Sequence, residues 1–309
     1  MAGVLVTGGA GFIGSHLAQA LVECGDKVRV LDNFSTGSAK NLAGLETQIE
    51  LIRGDLRNSD DVRKAVQDIE TIFHQAAFIS VPKSIEKPLD CYAVNVTGTI
   101  ELLEAARLAG VGRVILASSA AVYGSGEESP LREDSRLDCL SPYAASKRFN
   151  EILAELYSQV YGLPVIALRY FNVYGPRQSP TSAYAAVIPK FIQRLKSGQA
   201  PVIFGDGRQT RDFIYVGDVV RANLLAAGAE SLTASVFNVC SGEETSLLDL
   251  VDVLYGLAPL APKPQFAATR PGDVPRSLGD PNLAASQLGF KTSIPLDVGL
   301  KHCVDEWAA

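Results

Sequence analysis

Little in this sequence suits a metal or a disulfide. Histidine occurs three times in 309 residues, as His16, His74 and His302. These are too far apart in the chain to suggest zinc, and no metal site is expected. The five cysteines show no C-x-x-C spacing, so they read as packing residues or free thiols of a reducing compartment. Positive charge is also short. Twenty-eight Lys and Arg stand against 34 Asp and Glu, a formal net charge of −6, which argues against nucleic acid or an anionic membrane as the main partner. An anionic small molecule remains compatible if basic residues gather at one site. Long apolar runs are missing too. "VLVTGG" near the N-terminus is too short to span a bilayer, and no charged leader with a cleavage site is found. A soluble cytoplasmic protein is expected.

What is present is a rhythm. The 47% hydrophobic content is ample for a core, and the length suggests one large or two modest domains. Short apolar, β-branched runs read as strands: 3–7, 27–32, 49–56, 71–77, 113–119 and 164–175. Helical periodicity falls between them, at 12–25, 59–67, roughly 90–109, and from 142 onward. Strands alternating with helices predict an α/β fold with a doubly wound parallel sheet of Rossmann type. After about residue 175 Pro and Gly become frequent and the elements shorten, with strands at 202–205 and 236–240. The expected division is 1–175 as a dinucleotide-binding domain and 176–309 as a smaller mixed α/β substrate-binding lobe, with chain segments crossing between them.

"TGGAGFIG" places Gly8, Gly11 and Gly14 between the first strand and the first helix. Glycines there let the backbone turn tightly and approach a pyrophosphate, whose charge meets the helix N-terminus. Asp32 ends the next strand, where a carboxylate hydrogen-bonds a ribose 2′-hydroxyl and favours NAD over NADP. A tight turn with a capping Asp is the competing reading. Asp55, in "GDL", suits an adenine contact or a plain turn. "HQAA" ends the fourth strand with small residues, which suit either a cofactor or helix–sheet packing.

"SPYAASKRFNE" (141–151) reads as a helix start, with Ser141 as N-cap and Pro142 in the first turn. Tyr143 and Lys147 then share a helix face. An ammonium beside a phenol favours the phenolate and lowers its pKa, making Tyr143 a proton-transfer group usable near neutral pH. By itself the pair reads more readily as an exposed Tyr beside a solvated Lys, and the rest of the chain must decide.

Taken together, "TGGAGFIGSHL", "LDNFSTG", "GDL", "FHQAA", "NVTGT", "SSAAVYG", "SPYAASK", "RYFNVYGPRQ", "TRDFIYVGDV" and "RPGDVPRS" resemble the extended short-chain dehydrogenase/reductase family, in particular its NAD-dependent nucleotide-sugar epimerases and dehydratases. The motifs run in order from residue 7 to about 277. The resemblance implies Tyr143 as acid/base, Lys147 as its partner, and Ser119 as the group that holds the reacting sugar hydroxyl. Around NAD it implicates Gly8, Gly11, Phe12, Ile13, Gly14, Asp32, Asn33, Ser35, Thr36, Gly37, Asp55, Leu56, Gln75, Ala76, Ala77, Asn95, Ser118, Tyr170 and Val173, together with Tyr143 and Lys147. On the substrate side it implicates Ser80, Ser119, Tyr143, Asn172, Val187, Arg211, Arg270, Asp273 and Ser277, with the two arginines on a UDP diphosphate.

The implied reaction is 4-epimerisation of a UDP-hexose by transient oxidation at carbon 4. Family dehydratases carry an acidic pair where this chain has Ala120 and Ala121, so water elimination lacks its acid and base. Ser277 stands where glucose-restricted epimerases carry Tyr, leaving room for an N-acetyl group. "SVPKS" and "YAAVIPKF" also resemble the N-acetylhexosamine subgroup. UDP-GlcNAc/UDP-GalNAc interconversion is therefore expected, with UDP-Glc/UDP-Gal alongside. UDP-glucuronate 4-epimerisation or decarboxylation, 4-keto-sugar reduction and a non-catalytic nucleotide-sugar-binding regulator are the other readings. The resemblance also implies a homodimer built from the helices carrying Asn95 and Tyr143.

Overall fold

The six expected strand runs pair side by side. They form β1 (Gly3–Thr7), β2 (Lys27–Asp32), β3 (Ile49–Arg53), β4 (Thr71–His74), β5 (Arg113–Ser119) and β6 (Val165–Tyr170). The structure, a computed structural model, describes residues 3–125, 128–180, 186–230, 232, 234–257, 262–269 and 274–306. Eight shorter strands follow: β7 (Asn172–Tyr174), β8 (Val202–Phe204), β9 (Thr210–Arg211), β10 (Phe213–Tyr215), β11 (Val236–Val239), β12 (Thr245–Ser246), β13 (Gln265–Ala267) and β14 (Arg276–Ser277). The helices are α1 (Phe12–Glu23), α2 (Ser59–Ala65), α3 (Val81–Glu86), α4 (Pro88–Tyr92), α5 (Gly98–Ala109), α6 (Pro142–Tyr161), α7 (Val187–Lys196), α8 (Val216–Gly228), α9 (Leu247–Leu257), α10 (Asn282–Leu288) and α11 (Leu296–Glu306).

The main sheet is parallel throughout, in the order β11-β6-β5-β4-β1-β2-β3. Side-chain alternation divides its core in two. Val4 and Val6 of β1, Ile115 and Ala117 of β5, and Ile166 and Leu168 of β6 pack with α1, α8 and α10 on one face. Leu5, Val114, Leu116, Val165 and Ala167 pack with α2, α5 and α6 on the other. Burial on both faces explains why these strands read as continuous apolar runs rather than alternating ones. The order reverses between β1 and β4, which is where open sheets of this kind leave a crevice for ligand.

Three details differ from the sequence expectation. The run 236–240 lies in the range expected for the smaller lobe, but it is a segment that crosses over: it supplies β11, which joins the main sheet beside β6. All four β11 residues are buried, the pattern of a strand covered on both faces. The run 164–175 is two strands, because β7 leaves β6 and pairs with β10. The expected helix at 90–109 is interrupted by a π-helical turn over Ala93–Thr97. The smaller lobe has its own core, in which Ile188, Phe191, Leu250, Leu254 and Leu300 from α7, α9 and α11 surround Ile203 and Phe213. Among the described residues no helix is long and apolar enough to cross a membrane.

Candidate functional site

The carboxyl ends of β1, β2, β4, β5 and β6 bring the sequence-selected residues to one edge of the sheet. Gly8 follows β1 at φ +69°, and a Cβ there would lie 2.6 Å from the Ala76 nitrogen. A Cβ on Gly14 would lie 2.2 Å from the Gly8 oxygen, and one on Gly37 would lie 2.9 Å from the Ala10 carbonyl. The loop thus closes on itself with no room for side chains. α1 begins at Phe12 without a side-chain cap, so its first-turn N–H groups lack intrahelical acceptors and suit a phosphate. Asp32 accepts from the Ala10 N–H at 2.8 Å and from the Phe34 N–H at 2.7 Å, which anchors its carboxylate beside the loop. Asn33 donates to Asp55 at 2.8 Å and accepts from the Ser35 N–H. Arg57 grips Asp55 with two side-chain bonds, 2.9 and 2.7 Å, and holds its carboxyl well below the usual carboxylate range. Ser35 and Thr36 are exposed on the same loop, and Leu56 is buried behind Asp55. A glycine cradle, an open helix start and an acid at the end of β2 fit an NAD dinucleotide.

Gln75 donates to the Tyr170 hydroxyl at 3.0 Å, and Tyr170 donates to Asn223 of α8 at 3.0 Å. Burial pushes the Tyr170 phenol up to about 12, so this network is neutral. Asn223 was not among the residues the sequence suggested.

Ser119, Tyr143 and Lys147 meet at the end of β5. Ser141 caps α6 by accepting from the Ala144 N–H at 3.1 Å, and Pro142 occupies the first turn, as the sequence predicted. Ser119, whose Oγ accepts from the Ala121 N–H at 3.2 Å, lies near enough to Tyr143 to favour its phenolate. Lys147 is 4% exposed and donates to the Ala117 carbonyl at 2.7 Å, with its nitrogen 5.9 Å from the centre of the Tyr143 ring. Its pKa falls to about 8 through burial. The expected depression of the Tyr143 pKa is not found. Burial pushes the phenol up, and the nearby Ser119 offsets only part of that. The i, i+4 spacing does place both groups on one face, but the lysine reaches past the phenol to the strand.

A buried ionic frame lies behind these three residues. Glu151, one turn beyond Lys147, accepts from Arg169 at 2.7 and 2.9 Å, from Ser118 at 2.7 Å and from Arg148 at 3.1 Å. Arg169 also donates to Tyr123, which donates to Asn238. Ser118, selected for the cofactor, spends its hydroxyl on Glu151 instead. Asn95, on the π-helical turn, accepts from the Phe78 N–H at 2.7 Å and donates to Ser146 at 2.9 Å. The Tyr143 N–H donates to Ser84 of α3 at 3.1 Å. Sequence reasoning passed over Glu151, Arg169, Ser84 and Ser146. A charged residue inside the apolar run "VIALRYF" was the available signal for Arg169, and its spacing of four from Lys147 was the signal for Glu151.

On the other side of the crevice, Arg211 of β9 stands opposite Ser277 of β14 in parallel register. Asn172 donates to the Asp212 carbonyl at 3.0 Å. Val173 lies next to it on β7, and Val187 opens α7. Ser80 caps α3 by accepting from the Lys83 N–H. A cavity of about 840 Å³ is lined in part by Arg208, Gln209, Phe266, Thr269 and Val274. Thr269 and Val274 bracket Arg270 and Asp273, which lie outside the described residues.

A doubly wound sheet with a glycine cradle on one side of the crevice, a Ser–Tyr–Lys set at its centre and an arginine-bearing lobe opposite defines an enzyme of the extended short-chain dehydrogenase/reductase class. Residues 4–240 match the NAD dependent epimerase/dehydratase family, and the chain belongs to that family. It is 39% identical over 305 residues to the UDP-glucose 4-epimerase of Mycolicibacterium smegmatis, covering 97% of each chain. It is also 34% identical to the UDP-N-acetyl-alpha-D-glucosaminuronate decarboxylase of Bacillus cytotoxicus, over 98% of this chain and 96% of that one. Among solved structures, the UDP-N-acetylglucosamine 4-epimerase of Methanobrevibacter ruminantium, in complex with UDP-N-acetylmuramic acid, superposes with a TM-score of 0.95 at 38% identity, over 99% and 98% of the chains. The Thermus thermophilus UDP-glucose 4-epimerase complex with NAD gives a TM-score of 0.89 at 37% identity, over 99% of both. The cofactor of the family is NAD.

Proposed function

We propose that this enzyme interconverts UDP-hexoses epimeric at carbon 4, with UDP-GlcNAc and UDP-GalNAc as the main pair and UDP-Glc and UDP-Gal as a second. The observation that carries the reading is the meeting of Ser119, Tyr143 and Lys147 at the end of β5, with alanines at 120 and 121. Ser119 holds the sugar 4-hydroxyl. Tyr143 takes its proton and later returns it. Lys147 places a positive charge 5.9 Å from the centre of the Tyr143 ring, which works toward the phenolate against the burial that disfavours it. The glycine cradle and Asp32 would hold NAD, which would supply reversible hydride acceptance at carbon 4. Arg211 and Arg270 anchor the diphosphate while the sugar turns its other face, and Asp273 and Asn172 hold the nucleotide side. Asn95 and Ser118 act through their neighbours by fixing α6 and β5. With no acid at 120 or 121, the site lacks the pair that would expel water. Ser277, small and set opposite Arg211, leaves space for an N-acetyl group.

The enzyme works as a homodimer. Leu89, Tyr92, Ile100 and Leu108 on α4 and α5, with Phe149, Ile152, Leu156 and Val160 on α6, are apolar and exposed. Neighbouring apolar helix faces of this kind mark an interaction site, and a second copy of the chain is the partner we assign to it. Tyr143→Phe tests the catalytic reading. Its rate should fall by a factor of about 10² to 10⁴ with UDP-sugar binding retained, and a rate equal to the parent's would refute it.

A further inference from the structure

Five buried polar side chains connect the nucleotide-binding edge of the sheet to Tyr143. Thr7, Thr99 and Ser146 are 0% exposed, Asn95 1% and His74 4%. The Ala76 N–H donates to Thr7 Oγ1 at 3.3 Å. Thr7 Oγ1 meets His74 Nδ1 at 2.7 Å, and His74 Nε2 meets Thr99 Oγ1 at 3.0 Å. Thr99 donates to the Asn95 carbonyl at 2.7 Å. Asn95 Nδ2 donates to Ser146 Oγ, which donates to the Tyr143 carbonyl at 2.7 Å.

The donors and acceptors leave one direction for the chain. Thr99 has a single hydroxyl proton and gives it to Asn95, so it can only accept from His74. His74 therefore carries its proton on Nε2, and its bare Nδ1 accepts from Thr7. The Asn95 amide is oriented by the Phe78 N–H, which only its oxygen can accept. Burial keeps His74 neutral, with a pKa lowered to about 3, so the imidazole has one donor and one acceptor as the chain requires.

We propose that Thr7, His74 and Thr99 are positioning residues, a one-directional hydrogen-bond chain that sets Tyr143 against the Gly8–Ala76 edge of the cofactor cradle. The chain spans β1, β4, α5, the π-helical turn and α6. The π turn matters because it carries Asn95, the link between the part held by His74 and the part held by α6. Buried networks of this kind hold geometry when every member is satisfied and lose it when one is missing. A displacement of 1 Å at a reacting group costs on the order of 100-fold in rate. The proposal rests on the reading of Tyr143 as the proton-transfer group.

The test compares Thr99→Val, which keeps the shape but removes the hydroxyl, with Thr99→Ser, which keeps the hydroxyl. Thr99→Val should lower kcat by a factor of about 10 to 100, with KM for the UDP-sugar changed less than about twofold. Thr99→Ser should restore most of the rate. If both variants lose thermal stability while kcat stays at the parent value, the chain is merely structural and the proposal fails. Nitrogen-15 NMR of the three imidazoles in the unaltered enzyme gives a second readout that does not depend on any variant folding. His74 should be a pure Nε2–H tautomer, and an Nδ1–H tautomer would overturn the chain. Tyr143→Phe separates the two ideas. If it is inactive while Thr99→Val keeps full kcat, only the positioning proposal falls. If it is as active as the parent, the reading of Tyr143 falls, and the proposal that rests on it falls too.

Discussion

Replacing Glu151 by Gln should damage both the fold and the pH profile, in amounts that can be worked out in advance. The carboxylate is fully enclosed, and its principal partner, Arg169, has 2% side-chain exposure. Glutamine keeps the shape but presents an NH2 where one of the two guanidinium bonds was accepted, and it removes the only carboxylate paired with Arg169 among the described residues. Breaking a buried pair from one side costs about 3–5 kcal/mol, against a total stability for ordinary proteins of about 5–15 kcal/mol. At roughly 2–4 °C per kcal/mol, the unfolding midpoint should drop by about 6–20 °C. Replacing both partners with Leu and Met should recover much of the loss, since a packed apolar pair is often as stable as the ion pair. Recovery stays incomplete because Ser118 and Tyr123 lose partners.

The same substitution acts on Lys147. Burial lowers the lysine to about 8, while Cys91 and Glu151 pull it back up. Removing a negative charge disfavours the ammonium, so the lysine falls further. The high-pH limb of the rate profile should therefore move to lower pH. Urea unfolding and a pH–rate profile read the two effects. A stability change below about 1 kcal/mol, the size of a surface pair, with an unmoved alkaline limb would refute the reasoning.

Gly14→Ala should abolish retention of NAD through purification, because the new Cβ would lie 2.2 Å from the Gly8 oxygen. Extraction and quantification of bound nucleotide checks this. Ser277→Tyr should suppress turnover of N-acetylated UDP-hexoses while sparing UDP-Glc, as measured by the ratio of kcat/KM values for the two. If the proposed dimer forms through the exposed apolar face of α6, Leu156→Asp should give a monomer in light scattering where the parent gives a dimer, without lowering the unfolding midpoint of the separated chain.

How much of this was legible beforehand depends on the range of the interaction. The sheet strands, the glycine cradle and the start of α6 are written in contiguous residues, whose spacing carries the geometry. The Ser–Tyr–Lys set came from resemblance more than from chemistry, since Ser119 and Tyr143 are joined only through the fold. The direction of the Tyr143 pKa shift was misjudged because helix spacing says nothing of burial. Burial depends on the sheet and on the neighbouring helices. That segments cross between the lobes was expected, but which one returns was not legible, because β11 follows a run of short elements that break the earlier rhythm. The partners of Asn95 and Ser118 were not legible either, because their bonds to Phe78, Ser146 and Glu151 span distant segments that no local pattern encodes.

The most direct test of the central claim is the fate of the hydrogen on carbon 4. The purified enzyme would be given UDP-GlcNAc deuterated at that carbon, with no cofactor added, and the epimeric product would be examined by mass spectrometry and NMR. Oxidation and return within one site keeps the label, so UDP-GalNAc should form with deuterium retained at carbon 4 and no net NADH. Product that has exchanged its deuterium for solvent hydrogen would contradict hydride return and the roles assigned to Ser119, Tyr143 and Lys147.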